Sequence, residues 1–383
     1  MILKRFLLAG ATLIAGLTGF PQPIPLDPAV RTGRLPNGFT YYIRHNEKPA
    51  KQVQLYLVCK VGSILEDPDQ RGLAHFMEHM NFNGTKHFPK NDLVDYLQKA
   101  GVRFGADLNA YTSFDETVYQ LPLPADNPAL VANGLQIMRD WAQDATLDSV
   151  EIEKERGIVL EEERLGKGAA DRMTRAYLPV LLNQSRYADR LPIGTDDVLL
   201  HFPPATIRRF HQDWYRPDLQ ALIVVGDVDM DAIERSVKEK FSDLKNPATE
   251  RPRTTYTVPL TGGRQFIAVT DKEDNAVALK LLVKHKTGPL VTEADYRESM
   301  KRALFNSMVA ARKYAELSQD KNPAYVNVSA GIESLMGGTD AFAFEVTAKE
   351  GQLQAAFDRS WEVVEKIRRY GFTLSELDRA KKN

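Results

Sequence analysis

Residues 71–84 read RGLAHFMEHMNFNG, and the interpretation of this stretch decides the rest. Leu73 to Phe82 is apolar with polar residues set into it, the pattern of a buried helix. Within it, His75-Phe76-Met77-Glu78-His79 is H-x-x-E-H. On a helix His75 and His79 lie one turn apart and face the same way. That spacing puts two imidazole nitrogens on one zinc ion. Glu78 falls on the adjoining face, where it can take a proton from an activated water without being a ligand. The order is the inverted form of the zinc-protease helix. With 7 His in 383 residues, chance supplies about 0.01 such motifs in a chain of this length. Two imidazoles and a carboxylate among Leu73, Phe76, Met77 and Met80 are costly to bury without a partner.

A third ligand is required. Ile152 to Leu165 (IEKERGIVLEEERL) has helical spacing, and at about 100° per residue Ile152, Ile158, Val159 and Leu165 form one apolar arc. Glu155 and Glu162 fall inside that arc and point nearly the same way, whereas Glu161 and Glu163 fall at or beyond its edges. Carboxylates on an inward face call for a cation or a base. Glu162 is therefore the expected ligand, with Glu155 a second carboxylate supporting the site.

Composition narrows the field. At 383 residues, 43% hydrophobic and 26% charged, the chain has the balance of an ordinary globular protein of two domains. A net charge of −1 gives no basic field, so nucleic acid is not an expected partner. The single cysteine, Cys59, excludes an intrachain disulfide framework and a Cys-based zinc knuckle, and is read as a small buried hydrophobe. Any metal site must use His and carboxylate. Lys4 and Arg5 precede an apolar run, Phe6 to Phe20, broken by Pro21 and Pro23. Residues 1–22 thus read as a secretory signal, too short for a span. The expectation is a soluble, exported, periplasmic mature chain with no stable membrane span; the less favoured alternative is that the segment is retained as a membrane anchor.

The remaining pattern is irregularly alternating. Strands are expected at Gln52–Val61, Thr117–Leu123 and Leu219–Val228, and helices at Asp92–Lys99, Ala129–Asp144, Ser149–Leu165, Pro203–Trp214 and Ala232–Phe241. Asn246 to Thr257 is a polar, Pro-containing linker. A second unit follows, with strands Arg264–Thr270, Ala276–Val283 and Ala341–Ala348 and helices Glu293–Lys313 and Gln352–Arg369. This favours α+β over a doubly wound sheet. Thr373 and Glu376 form a capping box that opens one more helix. Its early stop suggests a chain cut short. His45, His87, His201, His211 and His285 read as surface or hydrogen-bonded residues, and Gly337-Gly338-Thr339 as a turn.

These motifs resemble the pitrilysin/insulinase family of zinc metallopeptidases. Besides the H-x-x-E-H helix, Leu35-Pro36-Asn37-Gly38-Phe39-Thr40-Tyr41-Tyr42 is similar to the family's opening strand. Gly62-Ser63, Glu66 and Gly72-Leu73-Ala74-His75 resemble the approach to the zinc helix, and Asn109-Ala110-Tyr111-Thr112 with Asp115-Glu116-Thr117 resembles the segment after the first helices. Tyr215-Arg216-Pro217 and Val225-Gly226-Asp227 resemble the end of the first domain. The resemblance implies tandem mitochondrial-processing-peptidase-like α+β domains, each a mostly antiparallel sheet packed with helices. Residues 30–246 would carry the site, and 258–383 would form a second, non-catalytic and incomplete copy. It implies one Zn2+ on His75, His79 and Glu162, with Glu78 as general base and Glu155 as the additional carboxylate. Asn109 and Ala110 match an edge segment where a peptide substrate adds as a strand. The interval from position 79 to position 162, 83 residues, is longer than is usual in the family, and the interval to position 155, 76 residues, is nearer. The family closes its site with another half, in the same chain or a partner, carrying an Arg and a Tyr that find no counterpart here. The implied activity is endopeptidase cleavage of peptides or small unfolded polypeptides. The alternative is a non-catalytic assembly subunit of the same family, against which the intact motif argues.

Overall fold

The computed structural model describes residues 22–90, 92–99, 102 and 109–382; the expected signal segment lies almost wholly outside them. In chain order the elements are β1 (Val30–Arg34), β2 (Thr40–His45), β3 (Gln52–Cys59), α1 (Leu73–Met80), α2 (Asp92–Lys99), β4 (Asn109–Thr112), β5 (Thr117–Pro124), α3 (Pro128–Gln143), α4 (Ser149–Gly166), α5 (Ala169–Leu181), α6 (Asp196–His201), α7 (Pro204–Trp214), β6 (Gln220–Gly226) and α8 (Met230–Phe241). They are followed by β7 (Val277–Lys286), α9 (Glu293–Leu317), β8 (Tyr325–Ser334), β9 (Thr339–Ala348), α10 (Leu353–Tyr370) and α11 (Leu374–Ala380).

Among the described residues the strands form a six-stranded sheet in the order β1-β2-β6-β3-β5-β4 and a three-stranded sheet in the order β7-β9-β8. Only β2 and β6 pair in parallel; the other pairs are antiparallel. β3 shows why the first sheet forms. Its alternate residues Val53, Leu55, Leu57 and Cys59 are fully buried while the residues between them are not. Each such side chain contributes about 1.5–3 kcal/mol on leaving water. α3 lies across this face with Leu135, Ile137, Met138 and Trp141 buried. Burial pushes the Cys59 thiol up to about 12, so it is an inert packing residue.

The second sheet repeats part of the first. β3, β4 and β5 follow one another in the chain and pair as β3-β5-β4; β7, β8 and β9 do the same as β7-β9-β8. A separate core of Phe344, Val346, Ala356 and Val363 lies beneath it, with Trp361 packed against it. The architecture is α+β with two sheets, each packed with helices.

Two strands differ from the sequence reading. Arg264–Thr270 alternates like a strand but makes no ladder, and Phe266 is 89% exposed; a strand exists only where a neighbour takes its backbone groups. β8 was missed because its sequence, YVNVSAGIES, mixes small and polar residues, and pairing with β9 makes it a strand. The stretch 246–257, expected as a linker, has no helix or strand and is tied to neighbouring segments. Arg251 is clamped between Asp67 and Asp213, and Arg253 donates to the Lys60 and Asp115 carbonyls.

Candidate metal centre

α1 starts at a point that only glycine fits. Gly72 has φ +100°, and a Cβ there would sit 3.0 Å from the Gly194 Cα. Gly72 itself cannot cap the helix with a side chain. Glu66 does so from outside: its Oε1 accepts from the Gly72 and Ala74 amides at 3.1 and 2.8 Å. Glu66 is fully buried, and that burial pushes its carboxyl up to about 8. The guanidiniums of Arg186 and Arg190 hold the same loop through the Glu66 carbonyl.

α4 begins at Asp148, whose carboxylate accepts from the Val150 and Glu151 amides. Its position against α1 is set through Phe202. The Arg156 guanidinium lies 4.1 Å over the Phe202 ring, whose edge-on neighbour at 5.0 Å is Phe76 of α1. The inward row of α4 is Ile152, Glu155, Val159 and Glu163. Ile158 and Leu165, expected inside, are 56% and 71% exposed. Two apolar arcs overlap on this helix, and packing against α1 selects the one through Val159. Glu163 is neutralised by Lys167 at 2.6 Å.

The sequence-derived site residues lie as follows. His75 Nε2 and His79 Nε2 are 3.2 Å apart. Glu162 Oε2 stands 3.7 Å from the first and 3.4 Å from the second. His79 Nδ1 bonds Glu155 Oε1 at 2.7 Å, and Asn83 Nδ2 donates to Glu155 Oε2 at 2.5 Å. The Glu155 side chain is 9% exposed and that of Glu162 51%. Glu78 is buried beside this group, and its Oε2 accepts from Thr112 Oγ1 at 2.5 Å. Asn109 and Ala110 are on β4, which ends the six-stranded sheet and pairs with β5 alone among the described strands.

The electrostatics suit a cation. Burial, with His79 close by, pushes His75 down to about 4, leaving it neutral. Burial also works to lower His79, but the hydrogen bond to Glu155 and the nearby carboxylates leave it above its ordinary value. The Glu155 carboxylate can only accept, so His79 Nδ1 donates to it, and in the neutral ring the Nε2 lone pair is left on the side of His75. Burial raises the Glu78 carboxyl above its usual range, partly opposed by the Thr112 bond. A tetrahedral zinc with ligands at about 2.0–2.1 Å separates them by about 3.3 Å. The three donor spacings of 3.2, 3.4 and 3.7 Å match one face of that tetrahedron. The residues therefore fit the metal.

A second cluster, His87, Asp140 and Asp144, also brings donor atoms together. Its charges are already met. Asp140 accepts from Thr85, His87 and Gln136, and Asp144 pairs with Arg139 at 3.2 Å. His211, expected at the surface or hydrogen-bonded, stacks on Tyr215 with its Nε2 buried and without a partner; burial pushes it down to about 4. Phe82 packs 5.1 Å from the Trp141 ring. Thr112 and Asn83 were quoted from the sequence only as letters of longer motifs. Nothing local signals that they bond carboxylates 34 and 72 positions away.

An α+β chain that gathers two imidazoles of an inverted H-x-x-E-H helix and a distant carboxylate round one point has the frame and donor set of a zinc protease. Residues 41–177 match the model of the insulinase domain (peptidase family M16), and residues 201–383 that of the peptidase M16 inactive domain. The chain is 34% identical over 305 residues to the zinc protease PQQL-like of Arabidopsis thaliana, covering 79% of this chain and 32% of that protein. It is 32% identical to the probable zinc protease PqqL of Escherichia coli K12, covering 97% and 40%. The crystal structure of the first half of the periplasmic protease PqqL from Escherichia coli superposes with a TM-score of 0.85 at 31% identity, covering 94% of this chain and 77% of that one. The chain belongs to the insulinase family of zinc proteases, peptidase M16. It spans well under half the length of the two curated relatives.

Proposed function

We propose that the chain carries the catalytic zinc site of an endopeptidase acting on peptides or small unfolded polypeptides. The observation that carries this reading is the convergence of His75 Nε2, His79 Nε2 and Glu162 Oε2, with Glu78 at their side. In this reading residues 30–246 hold the site and 258–383 form a second, non-catalytic unit. His75, His79 and Glu162 hold one zinc ion, and Glu155 fixes the His79 ring through Nδ1. Bound there, zinc supplies the Lewis acidity that makes a water nucleophilic at neutral pH and polarises the scissile carbonyl. Glu78 accepts the proton of the attacking water and delivers it to the leaving amine. The edge of β4 at Asn109 and Ala110, unpaired among the described strands, takes the substrate backbone as an added strand, which grips an extended peptide with little reading of its sequence. A further half, in the same polypeptide or a partner, closes over the site. The relatedness to a periplasmic protease and the leader-like residues 1–22 support export to that compartment. No helix among the described residues is long and apolar enough to cross a membrane.

The test combines metal analysis of the full chain purified without chelators with cleavage of a quenched-fluorescent unstructured peptide. One zinc per chain, kept in Glu78→Gln while cleavage is lost, is the expected outcome. Absence of zinc, or cleavage by Glu78→Gln at the unsubstituted rate, refutes it.

A further inference from the structure

Thr112 ends β4, opposite Thr117 in the ladder with β5. Its hydroxyl lies 2.5 Å from Glu78 Oε2 and 3.3 Å from the Thr117 hydroxyl. Each hydroxyl has one proton to give. The fully buried Thr117 gives its proton to the Val61 carbonyl at 2.9 Å, and a carbonyl can only accept. The Thr112 proton is therefore the one directed at Glu78, and a carboxylate is its stronger acceptor. No other hydrogen bond reaches the Glu78 side chain among the described residues. Without Thr112 the Glu78 carboxylate would be free to rotate about its terminal torsion, which is broad and weakly restrained.

We propose that Thr112 is a positioning residue, whose hydroxyl pins Oε2 of Glu78 so that Oε1 is the oxygen presented to the reacting water. The assignment rests on Glu78 as the base. It also gives β4 a second task. The strand whose outer edge is offered to the peptide backbone holds, at its last residue, the group that moves the proton. Docking and base alignment then share one rigid element, the arrangement that favours a well-oriented reaction.

Two substitutions separate this role from a structural one. Thr112→Val keeps the β-branched shape and removes the hydroxyl, while Thr112→Ser keeps the hydroxyl and trims the strand residue. Crystal structures of the zinc-loaded full chain are the first readout. The expected result is one ordered Glu78 conformer, bonded to the hydroxyl of residue 112, in the unsubstituted and Ser chains, and a displaced or multiple conformer in the Val chain, with His75, His79 and the metal unmoved. On the quenched peptide, kcat of Thr112→Val falls about 10- to 100-fold, as for a lost bond to a charged group, with KM within about twofold. Ser restores most of the loss. Glu78 unmoved in the Val chain, or Ser impaired more than Val, overturns the proposal. Should the unsubstituted chain bind zinc but cleave nothing even with the half that closes its site present, the peptidase reading fails, and the crystallographic comparison still decides the role of Thr112.

Discussion

Glu155 and Glu162 lie on one helix and meet the imidazole pair at different nitrogens, and the order of their importance reverses between metal affinity and the stability of the metal-free chain. Glu155 is enclosed, accepting from His79 Nδ1 at 2.7 Å and from Asn83 Nδ2 at 2.5 Å. Glu155→Ala leaves both donors without their acceptor in a dry site, at about 1–3 kcal/mol each. The metal-free variant should therefore lose about 2 kcal/mol or more. Its zinc affinity should fall about 10- to 100-fold, the usual effect of losing a group that orients a ligating His. Glu162 is half exposed, and its contacts are the two Nε2 atoms at 3.4 and 3.7 Å. Glu162→Ala should change the metal-free stability by no more than about 0.5 kcal/mol, as for a surface substitution. It should cost zinc affinity more than Glu155→Ala does, because a donor is removed outright. Urea unfolding in excess chelator measures the first quantity, and competition with a chromogenic zinc chelator the second. If Glu162→Ala keeps full affinity while Glu155→Ala abolishes binding, the third ligand is Glu155 and the assignment made here is wrong.

Glu66 holds its proton to about pH 8 when buried, against 4.5 ordinarily. Between those values the folded chain binds more protons than the unfolded one, so this residue's contribution to stability declines as pH rises, by at most about 1.4 kcal/mol per unit. Chemical denaturation at several pH values should show a flatter profile for Glu66→Gln over that window; identical slopes would exclude the effect. Gly194→Ala should destabilise by at least about 2 kcal/mol, since φ is +81° and a Cβ would lie 2.5 Å from the Gly72 Cα and 2.6 Å from the Arg71 carbonyl oxygen. Thermal unfolding reads the loss, and zinc affinity should fall with it because the start of α1 is displaced. Arg251→Ala should leave zinc affinity unchanged while making the 246–257 segment more open to limited proteolysis, because its clamp to Asp67 and Asp213 is gone.

What could be read from the letters was local and periodic. The i, i+4 histidines define their own geometry on any helix; β3 alternates cleanly enough to declare both strand and buried face, and the β-branched run of β6 declares a strand. Ile158 and Leu165 were misplaced because an amphipathic arc says how wide an apolar face is, not which part of it a neighbour covers. The 264–270 stretch has a strand's composition and lacks a neighbour among the described residues. Asn83 and Thr112 were invisible as partners of Glu155 and Glu78 because those bonds exist only after distant segments meet.

The described part of β4 is Asn109–Thr112, with Asn109 and Tyr111 exposed. An unprotected strand border is a template for any extended chain, including another molecule of the same kind, and so a point of departure for aggregation. None of the four described residues of this border, Asn109–Thr112, carries the charge that ordinarily discourages such a partner. A lysine in place of the exposed Tyr111 should therefore reduce whatever self-association this border permits, as read by light scattering.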